Sequence, residues 1–183
     1  MAARKARYRF FEDTARKMRA AAVATAHTAD DQAETVLLKL ARGAGPRGLA
    51  GIPRSGRTGR LKVIRPLLDV TRADIVAFLR AQKQTWRNDR SNAVTVPLRN
   101  KVRHRILPLL ERDLNPAVRE ALVRTADILR EEDAWLDKLA DGLLKSCSGK
   151  DGSLNVAALR RMRLGARRRV LRLWLARGGV PAE

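Results

Sequence analysis

The sequence predicts an α/β protein: the C-terminal half of a parallel-sheet domain over residues 1–115, followed by a helical domain over residues 116–183. Three observations predict this. Two short apolar runs, residues 21–26 and 61–68, each lead into a polar turn and an amphipathic segment, the order of strand-then-helix units. Two such strands do not make a stable parallel sheet by themselves, so each unit wants neighbours that the 183 residues do not supply. After Asn115-Pro116 the apolar positions Val118, Leu122, Leu129, Leu136, Leu139 and Leu143 keep helical spacing.

Residues 4–20 carry Arg and Lys with Tyr8, Phe10 and Phe11 and then alternate Ala with charge, which reads as a helix. Ala-Ala-Val-Ala-Thr-Ala at 21–26 suits a buried strand, and His27 to Asp31 is the loop after it. Asp31 and Glu34 have N-cap and N3 spacing, so a helix is predicted through Val36, Leu37 and Leu40. Gly43, Gly45, Pro46, Gly48 and Gly51 end it in a Gly-rich loop. Residues 54–60 are Gly, Ser, Thr and Arg and read as a loop; residues 61–68 are the second strand. Thr71 and Asp74 form a second capping-box spacing before a helix through Ile75, Phe78 and Leu79. Residues 86–97 are polar and irregular, and a basic helix over 99–110 is interrupted by Pro108. Beyond the long helical stretch, residues 149–153 form a turn, and two more helices follow until Gly178-Gly179 stops the last. Trp135 and Trp174 sit at helical spacing with leucines and are expected in the core.

Composition narrows the function. Hydrophobic residues make up 45%, enough for a packed core. Lys and Arg number 39 against 19 acidic residues, a formal charge of +20. Such an excess repels itself in a globular fold, and its usual use is a polyanion, nucleic acid first. Part of it is compositional, since Arg and Ala dominate the chain. The single cysteine, Cys147, excludes an internal disulfide and a four-cysteine metal site and fits a reducing cytosol. No apolar run reaches the roughly 20 residues of a membrane span.

The densest chemistry is His27-Thr28-Ala29-Asp30-Asp31-Gln32-Ala33-Glu34-Thr35, one imidazole and three carboxylates at the C-terminal end of a predicted strand. Open α/β sheets bind ligands there. Asp31 and Glu34 are three apart and can share a helix face, where they could hold Mg²⁺, bind an ammonium group or deprotonate an amine. Helix capping accounts for Asp31 and Glu34 equally well, but not for His27 and Asp30. Arg42-Gly43-Ala44-Gly45-Pro46-Arg47-Gly48-Leu49 could bind phosphate, though a helix C-cap and loop is the commoner use of such a string. Arg99 and Arg103 lie one turn apart and could grip a phosphate; Arg4, Arg7 and Tyr8, and the arginines at 160–172, are further basic patches. A solvated basic face explains most of these patches as readily.

Read in order, the segments resemble tRNA(Ile)-lysidine synthetase, a PP-loop ATPase of the adenine nucleotide alpha hydrolase-like fold. The matching strings are Ala3-Arg4-x-Ala6-Arg7-Tyr8-x-x-Phe11, His27-x-x-Asp30-Asp31-Gln32-x-Glu34-Thr35, Arg42-Gly43-x-Gly45-x-x-Gly48-Leu49, Arg65-Pro66-Leu67-Leu68, Thr71-Arg72, Trp86-x-x-Asp89-x-Ser91-Asn92, Arg99-Asn100-x-x-Arg103, Pro108-Leu109-Leu110 and Asn115-Pro116. The resemblance implies ligation of L-lysine to the wobble cytidine of tRNA(Ile) through an adenylated cytidine, with ATP and Mg²⁺ in the complete enzyme and a cytoplasmic setting. It implies catalytic roles for Asp31, Glu34, His27, Arg7 and Arg99, substrate binding by Asp30, Arg4, Arg42 and Arg103, and no protein metal ligand. It allows a homodimer. The family's Ser-Gly-Gly-x-Asp-Ser loop for ATP phosphates does not occur in this sequence. The expectation is therefore an N-terminally truncated chain, inactive alone. Two other readings stay open: a related PP-loop tRNA thiolase, and a non-catalytic basic RNA-binding fragment.

Overall fold

The computed structural model describes residues 2–59, 61–87, 97–149 and 151–180. The chain forms two compact units, Met1–Leu129 and Arg130–Glu183. The first is α/β. Helix α1 (Ala2–Lys17) leads to strand β1 (Val23–Ala24), helix α2 (Ala29–Leu40) and the short helix α3 (Pro46–Leu49). Strands β2 (Ser55–Thr58) and β3 (Leu61–Ile64) come next, then helix α4 (Arg72–Ala81), helix α5 (Pro97–Lys101), a π-helical segment (Val102–Ile106) and helix α6 (Leu107–Asp113). Helix α7 (Val118–Cys147) runs from the first unit into the second, which adds helices α8 (Val156–Arg161) and α9 (Leu164–Arg177).

The sheet has the order β1-β3-β2. β1 and β3 pair in parallel, Val23 opposite Val63, as the strand–helix order predicts. β2 was expected to be a loop. It is instead an antiparallel edge strand, Ser55 opposite Ile64 through Thr58 opposite Leu61. Its polar sequence has no strand signature, because an edge strand needs only backbone groups to pair. β1 is also shorter and less buried than the apolar run at 21–26 suggests: two residues, with Val23 half-buried and Ala24 exposed. Val63 and Leu61 on β3 are the buried strand residues, packed with Ala15, Tyr8 and Phe11 of α1.

A second cluster places α2. Leu37 and Leu38 pack against Val102, Leu107 and Val118, so the back of α2 lies on the π segment, α6 and α7. Pro108 does not interrupt this stretch as expected. Its missing N–H falls in the first turn of α6, and the turn before it widens so that the Leu107 N–H donates to the Val102 carbonyl, five residues back.

In the second unit Ala140, Leu144 and Cys147 of α7 close on Leu159 and Val170. Trp135 and Trp174 are not core residues: Trp135 is 60% exposed and Trp174 is 37% exposed. Their helical spacing with leucines is real, but Ala140, Leu144 and Cys147 form the packed stripe of α7. The Trp174 indole N–H donates to the Gly152 carbonyl at 2.8 Å, tying α9 to the turn before α8.

Candidate functional site

Thr28, not Asp31, is the N-cap of α2. Its hydroxyl accepts the Asp31 N–H, and Asp31 Oδ2 accepts the Thr28 N–H at 3.0 Å, a reciprocal capping box with Asp31 at N3. The predicted box, Asp31 with Glu34, is one turn out of place. The correction changes the chemistry: Glu34 has no capping work, yet its side chain is fully buried. A buried carboxylate is costly unless it is paired and hydrogen-bonded.

Its partners come from the basic stretch. Arg99 Nε donates to Glu34 Oε2 at 2.6 Å, and Arg103 Nε donates to Glu34 Oε1 at 2.5 Å. The same two guanidinium groups reach Asp31 Oδ1, from Arg99 Nη2 at 2.9 Å and Arg103 Nη2 at 3.3 Å. Arg99 and Arg103 were expected to grip phosphate from one helix face. They do share a face, and on it they meet two carboxylates. The hydrogen bond to Glu34 holds the Arg103 guanidinium above its ordinary pKa, reinforced by Glu34, Asp31 and Asp30 charge and opposed by burial.

These groups line a cleft of about 890 Å³ within the first unit. The lining draws Arg7 and Tyr8 from α1, residues 24–28 from the end of β1 to the start of α2, and Asp30, Asp31 and Glu34 from α2. Arg99 and Arg103, paired with those carboxylates, line it too, as do Arg72 and Arg119. The His27 Nδ1 lies 3.0 Å from the Thr25 hydroxyl. Asp30 Oδ2 accepts the Arg72 N–H at 2.8 Å, and Asp30 Oδ1 accepts from Arg119 Nη1 at 3.1 Å.

Seven of the nine predicted site residues therefore meet in one cleft: Arg7, His27, Asp30, Asp31, Glu34, Arg99 and Arg103. Arg42 does not join them. It is exposed beyond the C-terminal end of α2, about 18 Å along the helix from Asp30 at 1.5 Å per residue. Arg4 lies in α1, but its side chain falls outside the described positions, as does the whole of the Asp89-Arg90-Ser91-Asn92 string. Arg72 and Arg119 were not foreseen as site residues. Arg119 carries no local signal, being one of three Arg on α7 and 89 residues from its partner Asp30.

Among the described residues no group of three or more His, Cys, Asp or Glu side chains comes together as a metal site. Also among them, no helix is long and apolar enough to cross a membrane. A PP-loop domain model matches residues 1–110. The chain belongs to the PP-loop family. Its α/β fold is the fold of that family. Over 173 residues it is 45% identical to a tRNA(Ile)-lysidine synthase of Salinispora tropica, covering 94% of this chain and 52% of that protein. The Geobacter sulfurreducens enzyme of the same name is 43% identical over 185 residues, 98% of this chain and 39% of the relative. The Thermobifida fusca one is 43% identical over 187 residues, 99% and 55%. The chain thus spans about half the length of these relatives. Among solved structures, the U34-tRNA thiolase NcsA of Methanococcus maripaludis aligns at a TM-score of 0.53 and 20% identity, over 68% of this chain and 41% of that one. That likeness is one of fold alone.

Proposed function

We propose that this PP-loop chain is the part of a cytoplasmic tRNA(Ile)-lysidine synthase that receives the lysine amine, in an enzyme that uses ATP to join L-lysine to the wobble cytidine of tRNA(Ile). The observation that carries the reading is the buried Glu34 beside Asp31, two carboxylates on one turn of α2 that face a cleft shared with Arg7, Arg99 and Arg103. Capping explains one oxygen of Asp31 and nothing of Glu34.

The reaction needs both charge types in one place. In the first step the cytidine C2 oxygen forms a bond to the α-phosphorus of ATP and pyrophosphate leaves. In the second the lysine ε-nitrogen forms a bond to C2, the C2–O bond breaks, and AMP departs with that oxygen. The ε-amine arrives as an ammonium, so it must be bound by negative charge and lose protons before and after attack. Asp31 and Glu34 take these roles, with His27 next to them. Arg7 and Arg99 offer fixed positive charge to phosphate oxygens, which costs no reorganisation as charge develops. Arg103, in the same cleft, completes the substrate contacts. The excess of positive charge suits the tRNA backbone, and exposed Arg160, Arg161, Arg163 and Arg168 add to it. Mg²⁺ has no ready-made protein site here: among the described residues no three carboxylate, imidazole or thiolate groups converge to hold it. No step here runs through it.

The test is Glu34→Gln in the intact enzyme, with lysidine read by mass spectrometry of tRNA nucleosides and adenylation by pyrophosphate release. Loss of a general base and ammonium ligand should lower lysidine formation by about 10²-fold or more, while tRNA-dependent pyrophosphate release persists. Lysidine formation near the wild-type rate rules the assignment out.

A further inference from the structure

Asp30 and Arg119 form a charge pair that lines the cleft and is tied at both ends to backbone elements. Asp30 Oδ2 accepts the N–H of Arg72, the first residue of α4, at 2.8 Å. That N–H is one of the donors a helix leaves unpaired at its start, and it is met here from a different helix. Asp30 Oδ1 accepts from Arg119 Nη1 on α7 at 3.1 Å, and Arg119 Nε donates to Glu111 Oε1 on α6 at 2.5 Å. Both members of the pair are about one-fifth exposed. The network thus ties the first turn of α2 to α4 on one side and to α6 and α7 on the other.

That first turn also carries Thr28, Asp31 and, one turn on, Glu34. Asp30 is the immediate neighbour of Asp31, roughly 100° round the helix from it. A rotation of this turn by a fraction of a residue would move the two carboxylates relative to Arg99 and Arg103, which reach them from α5 and the π segment. We infer that Arg119 and Asp30 are positioning residues for the amine-transfer step: through their pair they fix the angle at which Asp31 and Glu34 meet the substrate ammonium, without touching it themselves. This rests on the proposed lysine-transfer reading. What favours it over direct substrate contact is where the partners of Asp30 lie: its bonds run to the start of α4 and, through Arg119, to α7 and α6, so they fix the turn that carries Asp31.

The step that uses lysine can be separated from the one that does not. In the intact enzyme, Arg119→Met and Asp30→Asn are each compared with the wild type for tRNA-dependent pyrophosphate release and for KM and kcat towards L-lysine. Asp30→Asn keeps an acceptor for the Arg72 N–H while removing the charge. The pair predicts a KM for L-lysine raised about tenfold or more by a small misplacement of the carboxylates, pyrophosphate release within about twofold of wild type, partial recovery in Arg119→Lys, and a double variant no worse than the poorer single one. A role confined to folding would lower both half-reactions together, and that result overturns the inference. So does an unchanged KM for L-lysine in both single variants when Glu34→Gln still abolishes transfer. If Glu34→Gln leaves transfer intact, the lysine reading itself fails, and the positioning role falls with it.

Discussion

Glu34 is where the competing forces at this site are largest. Full burial removes its carboxylate from water, and two guanidinium groups at 2.5 and 2.6 Å restore the lost solvation. Removing one partner of such a pair commonly costs about 3–5 kcal/mol, because the other charge stays buried. The acidic string was legible in the sequence because its four chemical groups are contiguous, so one strand end and one helix start bring them together. Arg119 was not legible, since only the tertiary fold carries it to Asp30. Gln32, in the same string, turns out to hold the Gly-rich loop: its side-chain oxygen accepts the Ile52 N–H at 2.6 Å, and its amide donates to the Ala50 carbonyl. Gly51 sits against it with φ +70°, and an added Cβ would lie 2.5 Å from the Gln32 oxygen. Gly43 has a similar φ of +73° but open space around it. Gly43→Ala should therefore cost about 1 kcal/mol of backbone strain, and Gly51→Ala about 1–3 kcal/mol beyond that from crowding. Denaturant midpoints of the two variants at unchanged slope check the difference.

At the scale of elements, the two capping boxes teach different lessons. Thr71 and Asp74 were read correctly as the start of α4, and both halves of the box are made. For α2 two strings satisfy the same spacing, Thr28 with Asp31 and Asp31 with Glu34, and spacing alone cannot choose between them. The extended backbone of Thr28 and its reciprocal hydrogen bonds with Asp31 decide it. β2 was missed because Ser-Gly-Arg-Thr pairs only by its backbone, and the widened turn before α6 was missed because a proline near a helix start looks the same as one inside a helix. The Asp74 box also has a pH signature. The Thr71 hydroxyl, and then its N–H, hydrogen-bond the Asp74 carboxylate and hold its pKa below the ordinary value. A carboxylate lowered on folding adds stability above its unfolded pKa of about 3.9, and that stability is lost as pH falls through the lower folded value. Asp74→Asn should accordingly lower Tm at pH 7, and the gap from wild type should shrink as pH drops below about 4. A gap of constant size down to pH 2 would mean that the charge of Asp74 contributes nothing to the cap.

Across the whole molecule, the net charge of +20 is not spread evenly over its possible uses. The acidic residues Asp133, Asp137 and Asp141 recur every four positions on α7 and pair with Arg169, Arg172 and Arg177 of α9, so part of the C-terminal arginine run holds the second unit together. Sequence reading gave that run to RNA contact or to solvent and could not sort its members, because which arginines face α7 depends on how α9 packs. Arg160, Arg161, Arg163 and Arg168 remain as exposed positive charge. In the first unit the same logic reaches the site, where cations outnumber carboxylates along the cleft and the three carboxylates all come from α2, ion-paired with Arg99, Arg103 and Arg119. That mixed lining is the central claim: the carboxylates of α2 for an ammonium, with arginines beside them for phosphate. Its most direct test is a crystal structure of the intact enzyme with L-lysine. The account predicts the lysine Nζ within about 3.2 Å of carboxylate oxygens of both Glu34 and Asp31. Lysine bound outside this cleft, or with its α-carboxylate rather than its ε-amine turned towards Glu34, would contradict it.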